Sequence, residues 1–235
     1  SNIGAAKMAI ELGSTLQQTY LSKLGLLDQS SLELPEIGSP LMPEPWREIN
    51  LMTIAYGHGL AVAPVQLTSA VSTVVNGGIA SPATILDQAN APVEGIRVFS
   101  SETSEKMRRL LRLVVDTGTA SKAAAEGYLV GGKTGTAEKN DTHGYEDKML
   151  RSSFVGVFPM HAPRYVVFVL LDEPQGDKET FGYATGGWVS APIVSRVISR
   201  MAPLIGVRPL NEMATEVGRQ MFIEIYDRGK GLASF

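Results

Sequence analysis

The chain contains no cysteine, which excludes a disulfide framework and a thiolate site and leaves the redox compartment open between cytosol and periplasm. Long hydrophobic runs are also missing. The longest, Tyr165 to Leu171, falls far short of the about 20 apolar residues of a membrane-spanning helix, and no signal-peptide pattern opens the sequence. Basic residues form no cluster with interleaved aromatics, so nucleic acid is not an expected partner. There is no tandem repeat and no low-complexity tract. What remains is 235 residues, 44% of them hydrophobic, with a formal net charge of −3. That composition excludes disorder throughout, suffices for a core, and implies no bulk electrostatic partner.

The segment Tyr128-Leu-Val-Gly-Gly-Lys-Thr-Gly-Thr-Ala-Glu-Lys139 sets one cation and two hydroxyls among glycines. Such a stretch is suited to holding an anion. Gly127-x-x-x-x-Gly132-Lys133-Thr134 also spells a phosphate-binding P-loop, which requires a strand before the glycines and a helix from the Lys-Thr pair. Here the order is inverted: Ala120 to Glu126 are helix formers, and the residues after Thr136 run into turn chemistry. A strand reading fits instead, leading through a turn at Asn140 to Gly144 and returning along Leu150 to Phe158 as a hairpin. Asp141, His143, Glu146 and Asp147 then read as turn residues, with no metal and no cofactor called for.

Two short helices are expected first, Ile3, Met8, Ile10 and Leu12 marking one that stops at Gly13, and Leu16, Tyr20, Leu21 and Leu24 the next, ended by Gly25. Leu26 to Pro45 carries four prolines and no period, so it reads as a loop. A helix opens at Pro64 with Leu67, Val71, Val74 and Val75 as its stripe and stops at Asn76-Gly77-Gly78, while His58 reads as a turn histidine. Ser100 or Ser101 caps a longer helix whose stripe is Met107, Leu110, Leu111, Val114 and Val115; its Arg108, Arg109 and Arg112 read as a solvated face. Tyr165 to Leu171 reads as a strand covered on both faces, with Ser190 to Ile205 as a helix packed on the sheet. One more amphipathic helix is expected in the tail from Asn211 to Phe235.

Beyond Lys133-Thr-Gly135, a series of blocks in order closely resembles class B penicillin-binding proteins of the septal peptidoglycan D,D-transpeptidase type: Tyr56-Gly-His-Gly-Leu-Ala-Val-Ala-Pro-Val-Gln-Leu67, Val114-Val-Asp-x-Gly-Thr-Ala120, Gly132-Lys-Thr-Gly-Thr-Ala-Glu-Lys139, Ser153-Phe-Val-Gly-Val-Phe-Pro159 and Asp172-Glu-Pro174. The resemblance implies an α/β (α+β) fold of the penicillin-binding-protein and serine β-lactamase kind: an antiparallel sheet with helices packed on both faces, incomplete at its N-terminus. Residues 1–207 would be the C-terminal part of the transpeptidase domain and 208–235 a tail.

The family's Ser-x-x-Lys nucleophile occurs nowhere in this chain, and Ser1-Asn2 resembles only the last two residues of its Ser-x-Asn motif. The acylated serine is therefore expected upstream, with a membrane anchor, on the periplasmic face of the bacterial inner membrane. By resemblance, Lys133 and Asn2 are the catalytic residues, and Thr134, Gly135 and Thr136 bind substrate. The implied partners are peptidoglycan stem peptides, β-lactam antibiotics, the upstream half of the domain and division-complex membrane proteins. A serine β-lactamase shares these motifs, and a non-catalytic module that binds or senses β-lactams or peptidoglycan would use the same pocket.

Overall fold

The structure is a computed structural model that describes residues 1–87, 94–139, 149–210 and 216–223. It divides into two compact units, Ser1–Ser104 and Glu105–Phe235.

In the first unit, α1 (Asn2–Leu12) ends where Gly13 turns the backbone to a φ of 79°, a conformation that glycine adopts without a Cβ clash. Helix α2 (Ser14–Lys23) follows, then a loop with no regular element until α3 (Glu48–Ile54). Helix α4 (Pro64–Val75) carries proline in its first turn, where no intrahelical amide is needed. Two buried glutamines tie this unit together. Gln17 donates to Leu51 O at 2.9 Å, and Gln66 donates to Gly25 O and Asp28 O at 2.9 and 2.7 Å. The stripe expected on α4 is displaced: Gln66, Ala70, Thr73 and Val75 are buried, whereas Leu67, Val71 and Val74 are half-buried. Gln66 wins a buried position because loop carbonyls satisfy its amide there. His58 lies exposed in the turn after α3, its amide donating to Thr53 O at 3.0 Å. A two-residue ladder joins β1 (Ile79–Ala80) to β2 (Ile96–Arg97).

Helix α5 spans Ser101–Asp116, and Ser100 is its cap, accepting from Thr103 N at 3.1 Å. Its stripe also departs from the apolar pattern. Met107 and Leu110 are 36% and 49% exposed, while Arg112 is only 7% exposed. The arginines are not a solvated face: Arg112 donates to Val130 O at 2.8 Å, Arg108 to His161 O at 3.1 Å and Arg109 to Phe222 O at 3.3 Å. Arg112 also pairs with Asp116. Burial nevertheless pushes the Asp116 carboxyl above its usual range, outweighing the Arg112 attraction.

The second unit is built on an antiparallel sheet in the order β3-β4-β5, with β3 Gly131–Glu138, β4 Leu150–Phe158 and β5 Tyr165–Asp172. These are the three strands that the sequence predicts; the residues of the expected turn, Asn140 to Gly144, lie outside the described residues, as do Asp141, His143, Glu146 and Asp147. Helix α6 (Gly186–Val189) leads into α7 (Ala191–Leu204), whose Val194, Ile198 and Ala202 pack with Phe154 and Phe158 of β4 in a fully buried core. The opposite face is approached by α5: a Cβ added to Gly131 would lie 3.0 Å from the Leu111 and Arg112 backbone. Adjacent residues of a strand face opposite sides, and Gly132, which pairs with Gly156, shares the side of Phe154 and Phe158. Helices thus cover both faces.

Two further expectations fail in this unit. Ala120 to Glu126 form only a 3₁₀ turn, Ser121–Ala123, and a bridge from Ala125 to Tyr128. Burial of Ala120, Ala123 and Ala125 in the core outweighs alanine's helix preference in so short a segment. Strand β5 is not covered throughout, since it is an edge strand with Leu170 47% exposed. The most buried strand is β4, because it lies in the middle. Beyond α7, Leu210 N donates to Gly127 O at 2.7 Å. The expected tail helix is seen in part as α8 (Glu216–Met221).

Candidate active site

Lys133, Thr134, Gly135 and Thr136 lie on β3, an outer strand of the sheet, whose outer edge pairs with no strand among the described residues. A strand in place of a helix at Lys133-Thr134 removes the P-loop reading. Alternation sends Thr134 and Thr136 to one face and the root of Lys133 to the other. The lysine stem wraps round the edge, and its Nζ donates to Thr134 O at 2.9 Å with Thr134 Oγ1 at 3.5 Å. One ammonium and one hydroxyl from opposite faces thereby meet at the edge. Desolvation holds the Lys133 amine below the usual lysine range, although much of the side chain is exposed.

Thr136 Oγ1 accepts from Gly186 N at 3.1 Å, and Thr134 Oγ1 lies 3.1 Å from Thr119 Oγ1. The Gly186 amide leaves the Thr136 hydroxyl proton free, since it occupies only a lone pair. Helix α6 comes this close because it starts with two glycines. A Cβ on Gly186 would meet Ser153 O at 2.2 Å and Gly135 O at 2.6 Å, and one on Gly187 would meet Thr119 O at 2.2 Å. Ser152 Oγ, donating to Ala184 O, and Ser190 Oγ, donating to Ser152 O at 3.0 Å, fix α6 to β4. Gly135 has a structural reason of its own, as a Cβ there would lie 2.5 Å from Ser153 Oγ.

Sequence reasoning missed Gly186 and Gly187 altogether and noted Thr119 only within a matching block. The Gly-Gly doublet was the available signal. Contact between Thr119 and Thr134, 15 residues apart, has no periodicity to betray it.

At the far end of β3, Lys139 binds Asp172 at 3.2 Å and also Glu173, and Arg151 joins Asp172 at 3.3 Å. Hydrogen bonds that it donates to Glu173 and Asp172 hold the Lys139 amine above its usual range. Lys139 is thereby engaged by two carboxylates. Asn2 is the first residue of α1, in the first unit, where it is exposed; Ser1 Oγ accepts from Gly4 N at 3.4 Å. No group of three or more His, Asp or Glu suited to a metal occurs among the described residues, and none of their helices is long and apolar enough to cross a membrane.

An antiparallel sheet clad by helices, with a Lys-Thr-Gly-Thr edge, is the arrangement shared by penicillin-binding proteins and serine β-lactamases. The family described as penicillin binding protein transpeptidase domain matches residues 1–199, and the chain belongs to it. Among curated relatives it is 40% identical over 226 residues to the probable peptidoglycan D,D-transpeptidase FtsI of Caulobacter vibrioides, covering 92% of this chain and 38% of that protein. It is 33% identical to the stage V sporulation protein D of Bacillus subtilis, covering 88% of this chain and 33% of that protein. The chain thus spans about a third of the length of these relatives. Among solved structures, the apo transpeptidase domain of penicillin-binding protein 3 from Burkholderia pseudomallei matches with a TM-score of 0.79 and 38% identity, over 89% of this chain and 63% of that one. Penicillin-binding protein 3 of Mycobacterium tuberculosis, complexed with aztreonam, matches with a TM-score of 0.76 and 26% identity, over 89% of this chain and 50% of that one.

Proposed function

We propose that this chain supplies the carboxylate-binding wall of a peptidoglycan D,D-transpeptidase that works through an acyl-serine intermediate. The observation that carries the reading is the meeting of the Lys133 ammonium with the Thr134 hydroxyl at the open edge of β3, beside Thr136. A stem peptide ending in D-alanine presents a carboxylate, and a cation flanked by hydroxyl donors complements it. Thr134 and Thr136 bind that carboxylate, and Gly135 lets the ligand backbone come close. The Thr136 amide is one oxyanion donor, with the serine's own amide the other. Lys133 adds positive potential, and its depressed pKa eases proton transfer at its Nζ.

Attack by a serine Oγ on the penultimate D-alanine carbonyl breaks the terminal peptide bond, and the leaving amine takes a proton; a second stem amine then displaces the serine. The serine and its lysine belong to a Ser-x-x-Lys segment outside this chain. Helix α1 supports such a partner segment, because Ile3 and Met8 are 71% and 67% exposed although the sequence predicts a packed apolar stripe. Residues 1–207 form the C-terminal part of the transpeptidase domain and 208–235 follow as a tail. The site faces the periplasmic side of a bacterial inner membrane, where β-lactams and division-complex membrane proteins are its further partners.

The test is intact-mass measurement after incubation with a labelled penicillin, with and without a supplied upstream segment carrying Ser-x-x-Lys. Labelling that requires both pieces supports the reading. Labelling of neither mixture, with both polypeptides folded and associated, would overturn it.

A further inference from the structure

A hydroxyl carries one proton and two acceptor lone pairs, while a lysine ammonium only donates. Among the described residues, Thr134 Oγ1 has two polar neighbours, Lys133 Nζ at 3.5 Å and Thr119 Oγ1 at 3.1 Å. As an ammonium, Lys133 approaches that oxygen as a donor. Across the threonine pair, geometry permits either hydroxyl to give its proton. If Thr134 gives it, the proton is spent within the protein, and a carboxylate arriving at the edge meets lone pairs. If Thr119 gives it, one lone pair of Thr134 is occupied and the other faces the Lys133 Nζ at 3.5 Å, so the Thr134 proton is left to turn outward.

Resting on the carboxylate-site reading above, we propose that Thr119 is a positioning residue that donates to Thr134 Oγ1 and so aims the Thr134 proton at the ligand's carboxylate. Thr119 acts through Thr134, without touching the ligand. The backbone on either side of its side chain is held in place. Ala120 is fully buried with its amide on Val114 O at 3.1 Å, and the Thr119 carbonyl sits where a Cβ on Gly187 would be. An anion at the edge rewards one of the two hydroxyl orientations that the geometry permits, so the pair discriminates ligands by charge. A valine of the same shape at 119 would leave one lone pair of Thr134 empty and its rotor free.

The experiment measures second-order acylation rate constants in the full protein that carries the acylating serine, with a penicillin and with its methyl ester. Loss of one hydrogen bond aimed at a charge predicts that Thr119→Val lowers the penicillin-to-ester rate ratio about fivefold to tenfold. Thr119→Ser, which keeps the hydroxyl, is expected to restore the ratio. An unchanged ratio, or an equal loss on both ligands, overturns the proposal. Lys133→Ala and Thr136→Val, measured alongside, separate the two readings. If they leave the ratio unchanged, the carboxylate site itself is wrong; if they lower it while Thr119→Val does not, only the role of Thr119 falls. Should Thr119→Val fail to fold by circular dichroism, Thr119→Ala against Thr119→Ser provides the same comparison.

Discussion

Lys133 combines an exposed stem with a desolvated amine, and this has a measurable effect on stability. Desolvation holds its folded pKa below the usual lysine value, so the charged form is disfavoured in the folded state. At pH values below the folded pKa, both states are protonated and the folded one bears the cost. As pH rises through the folded value toward the ordinary lysine value of about 10.4, the unfolded chain holds the extra proton and stability increases. Lys133→Met is therefore expected to raise the denaturant midpoint at neutral pH, with an advantage that shrinks toward pH 10. A growing advantage would contradict the desolvation account. The glycines of α6 give a second test. In Gly186→Ala the new Cβ overlaps two carbonyls, so the helix must lift from β3 and release Thr136 Oγ1. Thermal or denaturant unfolding should show a loss of about 1–3 kcal/mol, with acylation of the full protein impaired.

Among the elements, α5 and α7 hold the sheet by different physics. Helix α7 does so by apolar packing: Ile198 is fully buried against β4 and β5, whereas Leu204 near its end is 86% exposed. Ile198→Ala should cost about 2–4 kcal/mol in urea unfolding, and Leu204→Ala no more than about 0.5 kcal/mol. Helix α5 uses arginines, of which Arg112 reaches the carbonyl three residues before Lys133 and pairs with Asp116. Removing one member of such a buried pair strands the other, so Arg112→Met is expected to destabilise by about 3 kcal/mol. Replacing Asp116 by leucine in the same chain should recover part of the loss, because the stranded carboxylate is then gone. No recovery would place the effect on the other contacts of Arg112, the Val130 hydrogen bond among them. Neither arginine role was legible in the sequence, since charged residues at helical spacing ordinarily face water, and only tertiary packing brings unpaired carbonyls to meet them.

For the whole molecule, the prediction concerns the chain by itself: it should not be acylated by penicillin. An acyl acceptor needs a nucleophile whose proton has somewhere to go. The chain holds no Ser-x-x-Lys, and the one hydroxyl of the Lys-Thr-Gly-Thr edge with a lysine three residues on, Thr136, has that lysine engaged by Asp172 and Glu173. A stoichiometric penicillin adduct in the intact mass of the isolated chain would show that the nucleophile has been misassigned.

Sequence by itself determined the three strands and α7 of the second unit, because local signals carry them: turn chemistry after Thr136 places β3 in a hairpin, Leu150 to Phe158 reads as its returning partner, and Ser190 to Ile205 reads as the helix on the sheet. The Lys-Thr-Gly-Thr edge and the family were legible for the same reason, being contiguous. Tertiary structure decided which strand is central. The run Tyr165 to Leu171 is the more apolar, yet β4, with Ser152, Ser153 and Gly156, is the more buried, because strand order rather than composition fixes which strand has neighbours on both edges. It also decided where alanine leaves the helix and where arginine enters the interior. The pairing of Thr119 with Thr134 likewise belongs to the tertiary structure alone, since a hydrogen bond between residues on separate segments leaves no period in the sequence.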